Sequence, residues 1–276
     1  MYYRFIVTIT LAFSFAAYAD AENSREQIIT IVSQIQRADY EGDRPTLKKC
    51  YDALAPFVNN KGLGVRIRYW RGFARWRDGI NAGNDAVDPG EMEKLFLSGA
   101  DEFKAALALD PGFVDAKVGL ISCLGHVAYF HRAEKERLQE MVKPIFALVS
   151  EAKAAAPDNP RLIWVMGPIL FYIPPERGGG LDKVIENNER GLTICSQLQP
   201  PADKLEPSWG QPELLMSLAY EYMTKSPPDL DKAEKDARDA LAIVPYWHYV
   251  RDILVPKIVD AKARATQPSP PSQDGI

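Results

Sequence analysis

The chain has 276 residues, 25% of them charged and 46% hydrophobic, with a formal net charge of −4. That balance excludes a general nucleic-acid or anionic-membrane binder, which needs a basic surface. The three cysteines, Cys50, Cys123 and Cys195, are widely spaced with no CxxC pair, so no disulfide framework is implied. Their apolar helical contexts read as buried small hydrophobes, and a disulfide between two of them stays open.

Residues 1–19 have the layout of a secretory signal peptide. Arg4 supplies the basic start, Phe5 to Ala17 the apolar run, and Ala17-Tyr18-Ala19 a small-x-small cleavage pattern. The apolar run is too short to span a bilayer, and no later run is long enough. The expected product is cut after Ala19, begins at Asp20 and is exported: periplasmic in a bacterium, or secreted. No transmembrane segment is expected after cleavage.

From Asn23 to Tyr40, Ile28, Ile31, Val32 and Ile35 fall on one helical face. Ser24 and Gln27 form a candidate capping box there. Asp43 caps a second helix over 44–57, with Pro45 in its first turn. Helices are then predicted over 63–80, 91–109, 113–130 and 131–156, the last with a break near Pro144. A segment over 161–172 contains Pro168 and reads as kinked or short. A Gly-rich loop, Pro174 to Gly180, precedes a helix over 181–197, and a longer connection runs from Pro200 to Gly210. The last hairpin is 212–224 with 230–244, the second helix capped by Asp231. A closing helix over 246–265 is interrupted at Pro256. Residues 266–276, TQPSPPSQDGI, are polar and Pro-rich and read as a disordered tail. One domain over 20–265 is expected, because no long Gly/Ser/Pro-rich linker divides it.

Helix-ending prolines recur at Pro111, Pro157, Pro201 and Pro245. Three of the preceding stretches read alike: FKAALALDP, SEAKAAAPD and ARDALAIVP. A single hairpin cannot bury its own apolar face, so stacked copies must share a core. Gly99, Phe103, Ala106 and Pro111, then Ala233, Ala237, Ala240 and Pro245, resemble the second helix of the tetratricopeptide repeat. Leu218, Ala219 and Tyr222 resemble its first helix; Met166 with Gly167 match in part. The resemblance implies an all-α, right-handed solenoid of about five antiparallel hairpins with a C-terminal capping helix. The period is longer than the family's usual repeat of about 34 residues.

Catalytic motifs are absent. The histidines are His126, His131 and His248; the first two are not spaced to share a helix face as metal ligands do, and no HExxH or GxSxG occurs. Neither a metal nor a cofactor is expected. The glycines 178–180 lack the Lys-Ser/Thr of a phosphate loop and read as a tight turn. The densest aromatic and basic stretch is LGVRIRYWRGFARWRDGI, residues 63–80. Tyr69, Trp70, Phe73 and Trp76 share one side, with Arg68, Arg71 and Arg75 opposite. Amphipathic packing explains this spacing, with the aromatics as core and the arginines as a solvated face. A site that stacks and hydrogen-bonds a ligand explains it too.

The first helices of a tetratricopeptide solenoid line its concave face. The resemblance therefore places Arg66, Tyr69, Phe73, Trp76 and Arg77 on that face, followed by His126, Arg161, Trp164, Tyr172, Glu213 and Tyr220. Such an aromatic, arginine-bearing groove suits a protein or peptide partner, or a small anionic ligand. The expected function is a non-catalytic exported scaffold that binds a protein or peptide. The alternatives are a small-ligand-binding subunit associated with a solute transporter, and an enzyme on a helical scaffold.

Overall fold

The computed structural model describes residues 3–265, with side chains from Glu22 onward. The readings of 1–19 as a signal peptide and 266–276 as a tail rest on residues outside that description. Among the described residues there is no strand. Five hairpins follow one another: α1 (Tyr3–Glu41) with α2 (Arg44–Ala53), α3 (Gly64–Asn84) with α4 (Pro89–Leu109), α5 (Val114–Phe130) with α6 (Lys135–Ala155), α7 (Pro160–Tyr172) with α8 (Leu181–Cys195), and α9 (Gln211–Thr224) with α10 (Leu230–Ile243). A π-helical turn, Tyr249–Leu254, leads into α11 (Val255–Ala265). The fold is an all-α, solenoid-like stack.

Side-chain caps set the starts of several helices, because the first backbone N–H groups have no partner within the helix. Asp43 accepts from Thr46 N–H, Asp88 from Gly90 N–H, and Asn159 from both Arg161 and Leu162 N–H. Proline follows the cap within two residues in all three cases. Four local expectations are corrected. Asp229, not Asp231, caps α10, taking Lys232 N–H. Ser24 lies inside α1 and starts nothing. Pro144 sits within a continuous helix, α6, so the break expected there is absent. The predicted 44–57 helix ends at Ala53, followed by a separate 3-10 turn at Ala55–Phe57.

Close helix crossings surround Phe103 of α4, which is fully buried. A Cβ on Gly119 of α5 would lie 2.2 Å from its ring, and one on Gly72 of α3 would lie 2.9 Å away. Both glycines are there because the aromatic ring occupies the space of a side chain.

The stack also returns on itself. Tyr40, near the end of α1, packs its ring edge on Trp247, centroids 5.0 Å apart, and donates to Glu213 of α9 at 2.8 Å. Asp39 of α1 pairs with Arg77 of α3 at 2.7 Å. Asp115 of α5 pairs with Arg161 of α7, and Trp164 of α7 donates to Ser217 of α9. The first helices of the five hairpins, α1, α3, α5, α7 and α9, therefore close around a shared interior. This corrects the expectation that Tyr69, Phe73, Trp76 and Arg77 line an accessible concave face.

Candidate functional site

The interior is filled at one end by the chain's own connection between α8 and α9. Leu205 and Trp209 from that connection are 0% and 5% exposed. Trp70 Nε1 donates to the Leu205 carbonyl at 2.8 Å, and Trp209 Nε1 to the Tyr69 hydroxyl at 2.8 Å. Arg66 pairs with Glu206, Arg25 with Asp203, and Arg161 donates to the Trp209 carbonyl. Arg66 and Arg161 lie in the first turn of α3 and of α7. The segment 203–209 thus plugs the end of the ring formed by the starts of the first helices.

Burial decides the fate of the nominated groove residues. Tyr69, Phe73, Trp76 and Arg77 are 0%, 1%, 0% and 3% exposed, so none of them faces a partner. Tyr69, Phe73 and Trp76 are core: Trp209 packs 5.9 Å from Phe73 and 5.5 Å from Trp76, centroid to centroid. Burial holds the Tyr69 hydroxyl far above its usual range. Arg66 is occupied by Glu206 and lies over the Phe113 ring at 3.9 Å. Arg161 is occupied by Asp115, reached by both Nε and Nη2. His126 stacks on Phe96 at 4.3 Å, and its Nδ1 faces the Ser122 carbonyl. Burial first, with Arg77 nearby, holds that imidazole below its ordinary value, so it is neutral with Nδ1 as the donor.

Arg77 joins three helices. Its Nε lies 2.7 Å from Asp39 Oδ2, off line for a hydrogen bond, and its Nη2 lies 3.9 Å from Glu213. Its Nη1 is buried without a hydrogen-bond partner, as is Trp76 Nε1. The guanidinium sits 5.5 to 5.7 Å from the Phe73, Trp76 and Trp164 rings, a cation–π surround. Glu213 also takes the Gly210 N–H and the Tyr40 hydroxyl. Burial pushes the Asp39 and Glu213 carboxyls up while Arg77 pulls them down. Arg77 is a closing ion inside the ring, flanked by the carboxyls of Asp39 and Glu213.

The opposite arginine face is not a solvated one. Arg71 is 7% exposed, donates to Glu102 and to the Tyr51 carbonyl, and lies over the Tyr51 ring at 3.8 Å. Arg68 also pairs with Glu102, and Arg75 with Asp78. These arginines tie α3 to α2 and α4. In the glycine loop the N–H groups of Gly178, Gly179 and Gly180 bond to Pro175, Pro174 and Leu170 carbonyls. Gly178 and Gly180 have φ of +82° and +89°, a conformation that glycine adopts without strain. The loop is a tight turn in which all three glycine N–H groups are taken by the chain's own carbonyls. Cys50, Cys123 and Cys195 are free thiols.

Exposed aromatic side chains gather toward the other ends of the first helices. Tyr172 and Tyr220 of the nominated set are 69% and 49% exposed. Phe171 and Tyr129, which sequence reasoning did not nominate, are 50% and 47% exposed. Tyr129, Phe171 and Tyr172 lie at the last turn of α5 and α7, and Tyr220 lies near the end of α9. First helices of successive hairpins run the same way, so these residues mark the end opposite the plug. Trp164, half-buried and 5.6 Å from the Arg77 guanidinium, lies earlier on α7. The signal for these exposed rings was the FY pair just before the loop at Pro174, apolar residues at a helix end. Among the described residues, no group of three or more His, Cys, Asp or Glu could hold a metal, and no helix is long and apolar enough to cross a membrane.

No family model matches the chain, and no curated protein matches it. Solved structures with a similar fold include the following two. The HusA haemophore from Porphyromonas gingivalis aligns with a TM-score of 0.55 and 18% identity, over 71% of this chain and 93% of that one. A thermophilic TPR protein from Thermus thermophilus aligns with a TM-score of 0.54 and 16% identity, over 87% of this chain and 99% of that one. At these identities the likeness is one of fold, and the fold is TPR-like.

Proposed function

We propose that this chain is an exported, non-catalytic helical scaffold that binds a protein or peptide partner at the open mouth of its ring. The observation that carries the reading is the exposure of Tyr129, Phe171, Tyr172 and Tyr220 around one end of an otherwise plugged interior. Aromatic side chains give a large contact area at low entropic cost, and they dominate protein interfaces. A partner inserts one or two side chains there rather than lying along the full groove, because residues 203–209 hold the rest of it. Export is supported by the leader-like pattern of residues 1–19.

Photo-crosslinking tests this directly. A photoreactive phenylalanine at Tyr172 is expected to capture a defined partner from the exported fraction, and one at exposed Lys153 on α6 is not. Capture from Lys153 with none from Tyr172 overturns the reading.

A second reading is a small planar ligand with an apolar face. Trp164, half-buried beside the Arg77 guanidinium, favours it, and one structural neighbour is named as a haemophore. Hemin titration followed by its visible absorption decides it. Saturable 1:1 binding that weakens with Trp164→Ala supports the ligand reading; an unchanged spectrum removes it.

A further inference from the structure

Helices α8 and α9 meet through a buried amide and a buried carboxyl. Asn188 is 1% exposed and Glu221 is 7% exposed. Asn188 Nδ2 donates to Glu221 Oε1 at 2.8 Å. The remaining atoms of the same two groups, Asn188 Oδ1 and Glu221 Oε2, are both buried without a hydrogen-bond partner. With the carboxyl ionised, both are acceptors and neither can serve the other. A proton on Oε2 changes that. A carboxylic acid and a primary amide are complementary, each offering one donor and one acceptor.

We propose that Glu221 is a proton-held lock between α8 and α9: it keeps its proton in the folded protein, donates it to Asn188 Oδ1, and loosens the contact when the proton leaves. Burial supports this by raising the carboxyl from 4.5 to about 7, with the Asn188 hydrogen bond pulling the other way. The charged groups nearby are engaged elsewhere. On α8, Glu189 takes the Tyr222 hydroxyl. On α10, Asp236 lies in a crevice with Glu189, Lys232 and Lys235. Lys225, just past α9, lies 5.9 Å from the Tyr222 ring centroid. None of them contributes to the shift at Glu221, whose causes are burial and Asn188 alone.

The sign follows from proton counting. Between the unfolded value of 4.5 and the folded value of about 7, the native state holds a proton that the unfolded chain has lost. Its contribution is full below 4.5, falls as pH rises through that window, and is gone above about 7. Each pH unit in the window lowers the folding constant by roughly tenfold. The connection between α8 and α9 carries Leu205 and Trp209, so the lock sits on the hairpin junction that also holds the plug. Asp236 is raised to about 6, by burial first, and acts in the same direction between 3.8 and 6. The test must therefore separate the two.

Two measurements do so. Carbon-13 NMR of the side-chain carboxyls in the wild-type protein is expected to show the Glu221 signal titrating near 7. Urea unfolding from pH 5 to 7 is expected to lose up to about 100-fold in folding constant from this group in the wild type. It should lose that component in Glu221→Gln, where the amide Nε2 donates permanently to Asn188 Oδ1, and retain it in Asp236→Asn. A Glu221 carboxyl titrating near 4.5, or a Glu221→Gln profile with the wild-type slope, overturns the proposal; the NMR result does so without relying on any variant.

Discussion

Replacing Arg77 with methionine is the most revealing perturbation of the ring. The side chain is 3% exposed and stands between Asp39 at 2% and Glu213 at 0%. Methionine matches the bulk of the arginine stem and keeps contact with the Phe73, Trp76 and Trp164 rings. The change therefore removes charge rather than packing. It leaves two carboxyls without their cation, and breaking a buried pair in this way costs about 3–5 kcal/mol. In a chain of this size, roughly 2–4 °C of Tm is lost per kcal/mol, so the drop is on the order of 10 °C. Thermal unfolding followed by helical circular dichroism at pH 7 measures it. Adding Asp39→Asn and Glu213→Gln to Arg77→Met should recover much of the loss, since replacing a whole buried ionic group is far milder than stranding part of it. A Tm within about 2 °C of wild type for Arg77→Met alone would refute the closing role of this cluster.

The glycines of α5 separate packing from propensity. Gly119→Ala is expected to destabilise by about 1–3 kcal/mol, because the Phe103 ring leaves no room and overpacking outweighs the helix gain. Gly125→Ala is expected to stabilise by about 0.5–1 kcal/mol, since a Cβ there meets nothing within 4 Å; urea midpoints for the pair check both signs. Trp209→Ala should cost about 3–5 kcal/mol as a buried aromatic truncation. Asp203→Ala should cost less, about 1–2 kcal/mol, because the Arg25–Asp203 pair is about one-third exposed on each side and the Leu205 N–H loses its side-chain acceptor. Equal losses for these two would mean that the plug is held by its rim and not by its core.

The hairpins were legible because their determinants are local. The spacing of Ile28, Ile31, Val32 and Ile35, the cap at Asp43 and the proline at Pro111 act within one or two turns, and the structure keeps them. The cap of α10 was misplaced because Asp229 and Asp231 both precede the helix, and only geometry shows which one reaches Lys232 N–H. The aromatic stripe of α3 was correctly seen as one face, yet its setting was not legible. Tyr69, Phe73 and Trp76 pattern the same way whether solvent, a partner or another part of the chain lies against them. Besides Phe103 and Phe113, what covers them is Trp209, more than 130 residues away in sequence, within a connection that looks like a turn-rich loop. Ring closure depends likewise on Tyr40 meeting Glu213, and no local pattern encodes that pairing. Among the nominated residues, Tyr172 and Tyr220 stayed exposed because they lie toward the far ends of their helices, beyond the plug.

The central claim is that the chain fills the inner face of its own ring at one end and leaves an aromatic mouth at the other. Hydroxyl-radical footprinting, read residue by residue by mass spectrometry, tests it on the native protein. Tyr129, Phe171, Tyr172 and Tyr220 should be oxidised readily, and Tyr69, Trp70, Phe73, Trp76 and Trp209 should be protected. Oxidation of Trp70 and Trp209 at rates comparable with Tyr172 would contradict the claim, because it would mean that the groove stands open.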